Sequence, residues 1–546
     1  SGSNGSVVSL LNQCRTPMGK RQFNYMMVNP LIDSEKLKTE YDFCEHLLCK
    51  NDVQGMRDML LNMRDLEKMS RKIVLKKITP AECYYMRESL IATQDVFSRI
   101  ETDPLSKTYI FDKISNQVNT YCKQLCKAIE DAFILDAIHD KSTLTFDDNF
   151  IRSGYNKNHD KTVENWYDSY DILIGIQKYF DEKVSQYEKN TKKTEYVKIH
   201  STEKSGNSIV CTARRSTILK TQLKGITTIN IPYYSRYTKE NKSYVVDVSK
   251  LEYVKTTSSN ITIVCDEIKR LCSQILTSKN TMIVSLNSVY NCFVDMLYSD
   301  LEKLDEIVRF VALVDYSYTR AHIAKKYNLC KPEIKKASKS FFSMKGVRHI
   351  LIESLLRNEH YVTNDLSLDS DNLGVLLYGT NAVGKSSFIK AIGICVIMAQ
   401  AGFYVPCDEF TFFPYKHIFT RILGNDNLFK GLSSFAVEML ELKTIMNMAN
   451  KDSLVLGDEL CSGTESSSAM SIFISGIQYL YKEESNFIFA THIHEIVDFE
   501  ELHNMPKLAL KHMAVHYDKS KDKLVYDRKL QSGPGESMYG LEVCKS

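Results

Sequence analysis

The sequence predicts a multidomain protein with an all-α first part, a small β-rich module inserted between long helices, and a C-terminal α/β domain. Three observations lead to this prediction. With 546 residues, the chain exceeds the size of a single hydrophobic core. Apolar residues recur at steps of three and four, except between about residues 196 and 260, where short β-branched runs replace them. After Pro332, short apolar runs alternate with helical patterns, which is typical of a parallel sheet covered by helices.

The composition is that of a globular protein, with 43% apolar and 25% charged residues and a net charge of +3. No signal peptide and no apolar stretch of about 18 residues occurs, so we expect neither secretion nor a membrane span. The fifteen cysteines show no paired Cys-x-x-Cys spacing, which favours reduced, packed thiols over disulfides or metal ligands. Residues 1–6 resemble a cloning remnant and are left out of the fold prediction.

We expect the following division. The helical core and an outgoing helix take residues 7–195, the β-rich module 196–262, a returning helix 263–340, and the α/β domain 341–546. The returning segment carries apolar residues at helical spacing from Leu286 to Val311 without an internal Gly or Pro. This pattern predicts one unbroken helix of more than roughly 40 residues, or about 60 Å at 1.5 Å per residue. A β-rich module between an outgoing and a returning helix would lie at the tip of an arm.

A glycine-rich loop links a predicted strand to a predicted helix in the last part of the chain. The strand is Gly374–Tyr378, and the helical pattern begins near Ser387. The loop between them reads Gly379, Thr380, Asn381, Ala382, Val383, Gly384, Lys385 and Ser386. Strand, loop, Gly-Lys-Ser and helix are the context that a phosphate-binding loop requires, because backbone N–H groups, the helix N-terminus and a lysine then surround the phosphates. The Ser386 hydroxyl is a candidate Mg²⁺ ligand. The alternative is a glycine-rich turn without function.

Two further apolar strands end in residues suited to phosphate chemistry. The run Ser453–Gly457 leads into Asp458 and Glu459, where the first acid suits Mg²⁺ and the second suits activation of the attacking water. The run Phe489–Thr491 leads into His492, which could sense the terminal phosphate. Between the loop and the acidic strand, Ser433 belongs to a short hydroxyl-rich stretch that could bind phosphate. Taken alone, each of these has a structural alternative.

The β-rich module is locally basic. Between about residues 196 and 260 it carries eleven lysines and arginines against four acidic residues. Such side chains on a small module could hold a nucleic-acid backbone without reading bases, and the alternative is a solvated lysine-rich surface. The candidate DNA-binding residues are Arg214, Arg215, Lys220 and Lys224.

Several segments, in this order along the chain, resemble the ATPase domain of the MutS family of DNA mismatch-repair proteins. They are 379–386, 399–406, 418–421, 458–464 and 490–495. Upstream, 16–19 resembles the start of the family's core domain, and 65–67 and 154–156 resemble its lever segments. The sequence of residues 457–466 is most similar to the divergent branch of the family found in giant viruses and octocoral mitochondria. The resemblance therefore covers nearly the whole chain.

The resemblance implies an ABC-type P-loop ATPase that uses ATP/ADP and Mg²⁺ at composite sites of a homodimer. In this family pattern, Lys385 and Ser386 hold phosphates and Mg²⁺, Asp458 supports Mg²⁺, Glu459 orients the water, and His492 couples hydrolysis to conformation. Ser433 would reach the γ-phosphate of the opposite subunit. Tyr361 and His516 match the positions that sandwich adenine. The implied nucleotide-binding set is Gly379, Thr380, Asn381, Ala382, Val383, Gly384, Lys385, Ser386, Ser387, Tyr361, His516 and Ser433.

The resemblance also implies a clamp at 196–262 that closes on duplex DNA, mismatched or branched, and a downstream nuclease or repair factor as a further partner. The expected location is intracellular: cytoplasm, viral factory, nucleus or mitochondrion. The chain departs from the family pattern at Thr380, Leu432 and Cys461-Ser462, where the family has Pro, Arg and Gly-Arg, so subunit contacts should differ. We expect no mismatch-reading domain within this chain. The alternatives are a related ATPase acting on branched or recombination DNA, and a DNA-binding scaffold with weak ATPase activity. The lever-like helices disfavour a transporter ATPase.

Overall fold

The computed structural model describes most of the chain. It covers residues 5–50, 52–188, 195–202, 206–255, 260–356, 360–379, 383–421, 434–458, 466–518 and 523–535. Within these ranges, no helix combines the length and the apolar character that a membrane crossing needs. The thirteen cysteines of the same ranges are free thiols, as their spacing predicts.

Helices dominate the first two thirds of the chain. The helices are α1 (Val7–Leu11), α2 (Pro17–Val28), α3 (Ser34–Cys49), α4 (Val53–Met59), α5 (Leu66–Val74), α6 (Pro80–Glu101), α7 (Pro104–Phe111), α8 (Val118–Ala132), α9 (Leu135–Ile138), α10 (Lys157–Ser185), α11 (Ala213–Gln222), α12 (Asp266–Ser299), α13 (Leu301–Lys326), α14 (Ile350–Leu355), α15 (Lys385–Gln400), α16 (Ser434–Met448), α17 (Ser466–Lys482) and α18 (Glu500–His503). A 3-10 helix covers His494–Asp498. The helical first part predicted from the sequence is confirmed.

The strands form two groups along the chain. The strands are β1 (Lys198–Thr202), β2 (Gly206–Cys211), β3 (Thr228–Ser235), β4 (Glu240–Asp247), β5 (Glu252–Lys255), β6 (Ile261–Val264), β7 (Glu333–Ile334), β8 (Phe341–Val347), β9 (Asn364–Leu368), β10 (Gly374–Tyr378), β11 (Glu409–Phe413), β12 (His417–Arg421), β13 (Ser453–Asp458), β14 (Asn486–Thr491), β15 (Leu508–Asp518) and β16 (Lys523–Ser532). The chain is therefore multidomain and helix-rich, with several separate sheets.

The chain divides into two compact units. The first comprises Ser1–Asp65, Ala92–Val118 and Glu306–Ser546, and the second comprises Leu66–Ile91 and Asn119–Asp305. Helices α6 and α13 each have residues in both units.

The first unit is built on a six-stranded sheet of order β12-β13-β14-β10-β15-β16. All neighbouring strands run parallel except the β15–β16 pair. Strands β10 and β14 are fully buried, as expected for a sheet covered on both faces. The three buried strands predicted in this region are confirmed. A smaller sheet of order β7-β11-β8-β9 belongs to the same unit.

The strand register of the large sheet brings the ends of three strands to one edge. Tyr378 of β10 lies opposite Thr491 of β14, and Asp458 of β13 lies opposite Ala490. Because the strands are parallel, the residues that follow them emerge at the same carboxyl edge. At the opposite end of β10, Gly374 has no room for a side chain, since a Cβ there would lie 2.2 Å from the Phe487 ring.

A buried ionic cluster joins the helices of the first unit to the C-terminus of α15. The Arg320 guanidinium of α13 forms an ion pair with Glu40 of α3 and donates to the carbonyl of Gly402 at 2.9 Å. Tyr41 and Tyr316 donate to the carbonyls of Ala399 and Ala401 at 2.6 and 2.7 Å. These bonds hold the carbonyls at and just after the C-terminal end of α15.

In the second unit, helices α10 and α12 lie side by side and carry the β-rich module. Its antiparallel sheet has the order β1-β2-β6-β5, and β3 and β4 form a separate two-stranded ribbon. The ribbon packs on α10, where the Cβ position of Gly175 would lie 2.6 Å from an Ile231 methyl group. One hydrophobic core, including Phe180, Ile209 and Leu271, is shared by these elements.

Two features of this region differ from the sequence prediction. The module contains a helix, α11, between β2 and β3, which the β-rich interpretation missed. The prediction of one unbroken helix of more than 40 residues was wrong, because Asp300 separates α12 of 34 residues from α13 of 26 residues. Asp300 leaves the helical conformation, its carbonyl accepts from the first N–H groups of α13, and its carboxylate pairs with Lys303 at 2.9 Å. Aspartate is favoured at such helix starts because it competes with the helical backbone for hydrogen bonds.

Candidate nucleotide-binding site

The glycine-rich loop leaves β10 at the carboxyl edge of the large sheet and enters α15. Gly379 and Gly384 have φ values of +149° and +109°, which favour glycine, and Gly384 is the N-cap of the helix. The predicted loop residues Thr380, Asn381 and Ala382 lie outside the described residues. The first N–H groups of this 16-residue helix point out of its N-terminus, where they favour an anion.

Lys385 occupies the first position of α15 and is almost fully buried. Its ammonium donates to the carbonyl of Gly379 at 2.5 Å, so the lysine folds back across the loop that it follows. Ser386 and Ser387 are next along the helix and are half-buried, while Val383 is buried beneath the loop. The arrangement places a cation and helix N–H groups around the same loop.

Asp458 ends β13 at the same carboxyl edge. Its Oδ1 atom is buried, and no described residue forms a hydrogen bond with it. A buried carboxylate oxygen without a partner is costly, since such oxygens normally find a donor or a cation. The Ser386 hydroxyl and Asp458 are oxygen ligands of the kind that Mg²⁺ prefers, so the residues present fit this ion. Glu459 follows Asp458 but lies outside the described residues, as does Ser433.

His492 follows β14, the strand between β13 and β10, and its side chain is exposed. The structure thus brings Lys385, Asp458 and His492 to one edge of one sheet. A residue to which the sequence assigned no site role also lies there. Arg421, the last residue of β12, is buried and forms ion pairs with Glu438 and Glu441 of α16.

A cavity of about 170 Å³ opens beside the loop. At about 30 Å³ per water, it has room for roughly six water molecules, or for a planar ring system. Tyr361, the predicted adenine-stacking residue, is in its lining, and burial raises the pKa of this phenol. The cavity is lined by Ile352, Leu356, His360, Tyr361, Val362, Asn364, Val383, Gly384, Ser387, Phe388, Met513 and Arg528. Loop, helix start and an apolar wall therefore meet at one place.

His516 is not part of this lining. Its Nδ1 atom lies 2.8 Å from the Asp527 carboxylate, in an exposed pair on β15 and β16. The residue that reaches the cavity from β16 is Arg528. It sits where the β15–β16 register shifts, in the stretch of β16 between the partners of Met513 and Val515, and its φ is +54°.

The backbone of Arg528 is fixed by Asn364. The Asn364 amide donates to the Arg528 carbonyl at 3.0 Å and accepts from the N–H of Leu530 at 2.7 Å. Irregular pairing of this kind re-aims side chains, and non-glycine residues at positive φ are uncommon. The pairing of β15 with β16 thus decides which side chain faces Tyr361, and the sequence carried no signal for it.

The candidate DNA-binding residues of the second unit fall into two groups. Arg215 is buried, donates to the carbonyl of Tyr196 at 2.9 Å and lies 5.0 Å from the centre of that ring, so it stabilises the module. Arg214, Lys220 and Lys224 are exposed on and just after α11. Arg214 lies 3.7 Å from the Glu188 carboxylate, and the Lys220 ammonium lies 5.0 Å from the centre of the Tyr253 ring.

Part of the positive charge counted in the sequence is neutralised within the unit. Lys242 pairs with Glu164 and Asp168 at 3.1 and 2.8 Å, and Arg236 pairs with Asp171 at 2.6 Å. The three carboxylates lie on α10, outside the segment whose charges were counted. The exposed basic surface is therefore smaller than the local composition indicates, and α11 carries part of it.

Comparison with known proteins identifies the family. Residues 1–321 match MutS domain III, and residues 375–546 match MutS domain V. The chain is 28% identical to a putative DNA mismatch repair protein mutS homolog of Acanthamoeba polyphaga mimivirus, over 99% of the chain and 51% of that protein.

It is also 28% identical to the mitochondrial DNA mismatch repair protein mutS homolog of Sarcophyton glaucum, over 99% of the chain and 52% of that protein. Identity to the DNA mismatch repair protein MutS of Clostridium kluyveri is 27%, over 99% of the chain and 57% of that protein. The chain thus spans about half the length of the curated relatives it matches. Because the match to MutS domain III alone covers more than half of the chain, the chain belongs to the MutS family.

Proposed function

We propose that this chain is an ATP-dependent DNA clamp that serves mismatch repair, in which nucleotide bound at the carboxyl edge of the large sheet controls the grip of the β-rich module on duplex DNA. One observation carries the proposal: the Lys385 loop and the partnerless oxygen of Asp458 lie at the same carboxyl edge of the large sheet, and the Tyr361 cavity opens beside that loop. A base, a phosphate chain and a cation each find suitable groups there.

The proposed roles follow from position. Helix N–H groups of α15 and the Lys385 ammonium would hold the phosphates and stabilise the charge that develops on them. Ser386 and Asp458 would hold Mg²⁺, which when bound neutralises phosphate charge. Glu459 would orient a water molecule and accept its proton as the water oxygen bonds to the γ-phosphorus and the bond to ADP breaks. His492 would report loss of the phosphate.

We further propose a homodimer with composite sites, in which Ser433 reaches the γ-phosphate bound by the partner. Steady-state ATP turnover over a range of protein concentrations, with and without duplex DNA, tests the proposal. Turnover that rises more than proportionally with protein and responds to DNA supports it. Turnover that is absent in folded protein would contradict it and favour a scaffold with a decayed ATPase.

Base binding should depend on Tyr361 and Arg528, which line the cavity, and not on His516. Alanine at either lining position removes a flat group that can stack on the base, an interaction worth about 1–3 kcal/mol. We therefore expect ATP to bind roughly 5- to 150-fold more weakly, measured by calorimetry with Mg-ATP. His516→Ala is the matched control and should bind ATP like the parent chain. If His516→Ala weakened ATP binding more than Arg528→Ala, the base would lie between Tyr361 and His516, as predicted from the sequence.

DNA binding should depend on the exposed cations of α11. Counterion release predicts that the slope of log K against log salt falls by about 0.9 for each lost phosphate contact. Replacing Arg214, Lys220 and Lys224 by glutamine should therefore flatten the slope by about 2–3 for a duplex of fixed length. In the control variant, the exposed residues Lys107, Lys123 and Lys127 are replaced by glutamine. This control changes the net charge by the same amount. Equal slopes for the two variants would show that α11 does not touch the backbone.

A further inference from the structure

A cavity of about 450 Å³ lies in the second unit, and none of its lining residues belongs to α11. Helix α10 contributes Trp166 and Tyr170, one helical turn apart, and helix α12 contributes Leu276 and Lys279. Residues of strands β1 and β2 complete the lining. The lining is Trp166, Tyr170, Ser201, Thr202, Gly206, Asn207, Ile275, Leu276 and Lys279. Two aromatic side chains, one cation, hydroxyl groups and an amide therefore face a common space.

Among the described residues, the cation of this cavity has no acidic partner. The Lys279 ammonium lies 5.9 Å from the centre of the Trp166 ring, and no carboxylate of the described residues forms an ion pair with it. This distinguishes Lys279 from Lys242 and Arg236, which are held by the carboxylates of α10. An ammonium beside an indole, without an ion pair to any carboxylate that the structure describes, is suited to an anionic group attached to a flat ring.

The apolar side of the cavity remains partly open to solvent. Trp166 and Tyr170 are only partly buried although both pack against the core of the unit, and the Leu276 side chain is 47% exposed. Exposed apolar and aromatic surface next to a cation is costly in water and favours a ligand that covers it. The flat aromatic walls and the single cation match a nucleobase with its phosphate.

We propose that this cavity binds an unpaired nucleotide, with the base stacked against Trp166 and Tyr170 and its phosphate held by Lys279. The inference rests on the proposed function for the presence of DNA at the β-rich module, and it names the substrate class. The ligand is DNA with extrahelical or single-stranded nucleotides, not perfect duplex alone. Stacking tolerates any base, so the site selects for the unpaired state and not for sequence.

Trp166 is the single tryptophan of the chain, so its fluorescence reports on this cavity alone. The full chain is titrated with hexathymidylate, and the expected result is a saturable loss of indole emission, because a stacked base quenches it. Hexaglutamate, which has a similar charge and no bases, should leave the emission unchanged. Equal quenching by hexaglutamate would overturn the proposal and assign the cavity to an acidic polypeptide.

Variants separate stacking from general charge attraction. With a fluorescein-labelled hexathymidylate read by anisotropy, Trp166→Leu keeps an apolar side chain and should weaken binding by about tenfold or more. Lys279→Gln should weaken it by about fivefold, and Lys269→Gln, an exposed lysine of the same helix outside the lining, should leave it within twofold. Equal effects of the two lysine variants would contradict the site.

A hairpin-capped duplex without free ends keeps this proposal separate from the proposed function. If that duplex binds to the chain but hexathymidylate leaves Trp166 emission unchanged, the cavity proposal is wrong and the clamp proposal stands. If hexathymidylate quenches Trp166 and the capped duplex does not bind, the cavity proposal is supported and the duplex clamp is wrong.

Discussion

Replacing Lys385 by alanine should lower the turnover number for ATP by about 10²–10³-fold, the usual effect of removing one group that stabilises developing charge. The lysine is positioned for this role before nucleotide binds, because its ammonium already lies against the Gly379 carbonyl within the loop. Affinity for Mg-ATP should fall less than turnover, since the helix N–H groups of α15 and the Tyr361 cavity are retained. Single-turnover assays with excess protein measure the chemical step directly.

Lys390 provides the control for this prediction. It lies on the same helix, more than one turn further along, and is half-buried. Lys390→Ala should change turnover by less than about threefold, which is under 1 kcal/mol of activation free energy. A variant at Lys385 that hydrolyses ATP at the parent rate would remove the loop from the mechanism.

Breaking the buried ion pair between Glu40 and Arg320 should destabilise the first unit by about 3–5 kcal/mol, since removal of one partner leaves the other charge buried and uncompensated. Arg320 is 1% exposed, and besides Glu40 it contacts the Tyr109 hydroxyl at 3.0 Å and the Gly402 carbonyl. We expect this loss for Glu40→Leu and for Arg320→Met, measured by urea denaturation followed by circular dichroism.

The double variant is the informative control. With both charges replaced by apolar groups, most of the loss should be recovered, because neither desolvated charge remains. Lys113, which also pairs with Glu40, is 34% exposed and should reach water when its partner is removed. A double variant that loses as much as the sum of the single variants would show that the two residues do not act as a pair.

The same pair should make stability depend on pH in the acid range. Burial by itself raises the pKa of Glu40, but Arg320 and Lys113 outweigh burial and lower the pKa to about 2, from 4.5 in the unfolded chain. A lowered pKa gives stability that is fully present above the unfolded value and is lost as pH falls through the folded one. About 3 kcal/mol should therefore disappear between pH 4.5 and pH 2. The Glu40→Leu/Arg320→Met chain should lack this component in urea titrations at each pH.

These contacts also give a physical basis for coupling within the first unit. Helix α15 begins at the phosphate-binding loop and ends at carbonyls held by Tyr41, Tyr316 and Arg320. A shift of α15 on nucleotide binding would act on α13 through groups that are buried and tightly bonded. Interior packing of this kind transmits small displacements, since it does not deform continuously.

The sequence predicted those elements whose conformation is determined by residues close together in the chain. Buried strands such as Gly374–Tyr378 appear as apolar runs, and the Gly-Lys-Ser loop follows one of them directly, so both could be placed from the sequence. Their convergence at one sheet edge follows from the parallel direction of the strands alone.

The features that were missed depend on tertiary context. Helix α11 is rich in β-branched and basic residues and has weak helical propensity, so packing on its neighbours decides its conformation. The break at Asp300 interrupts an otherwise continuous apolar stripe. Arg528 reaches the cavity through the register shift of β15 and β16. His516, which matches the adenine-stacking position of the family in sequence, pairs with Asp527 instead. Pairing of Lys242 and Arg236 with acids of α10 likewise depends on contacts distant in sequence.

The central claim, that nucleotide at the sheet edge controls the hold on DNA, is tested most directly by the dissociation rate of a fluorescent, end-blocked duplex with and without Mg-ATP. Glu459→Gln should bind ATP without hydrolysing it, so the ATP-bound state persists during the measurement. The account predicts that Mg-ATP changes the dissociation rate by at least about fivefold, a coupling free energy of about 1 kcal/mol, and that Lys385→Ala abolishes the change. Equal dissociation rates with and without Mg-ATP, in protein that binds both ligands, would contradict it.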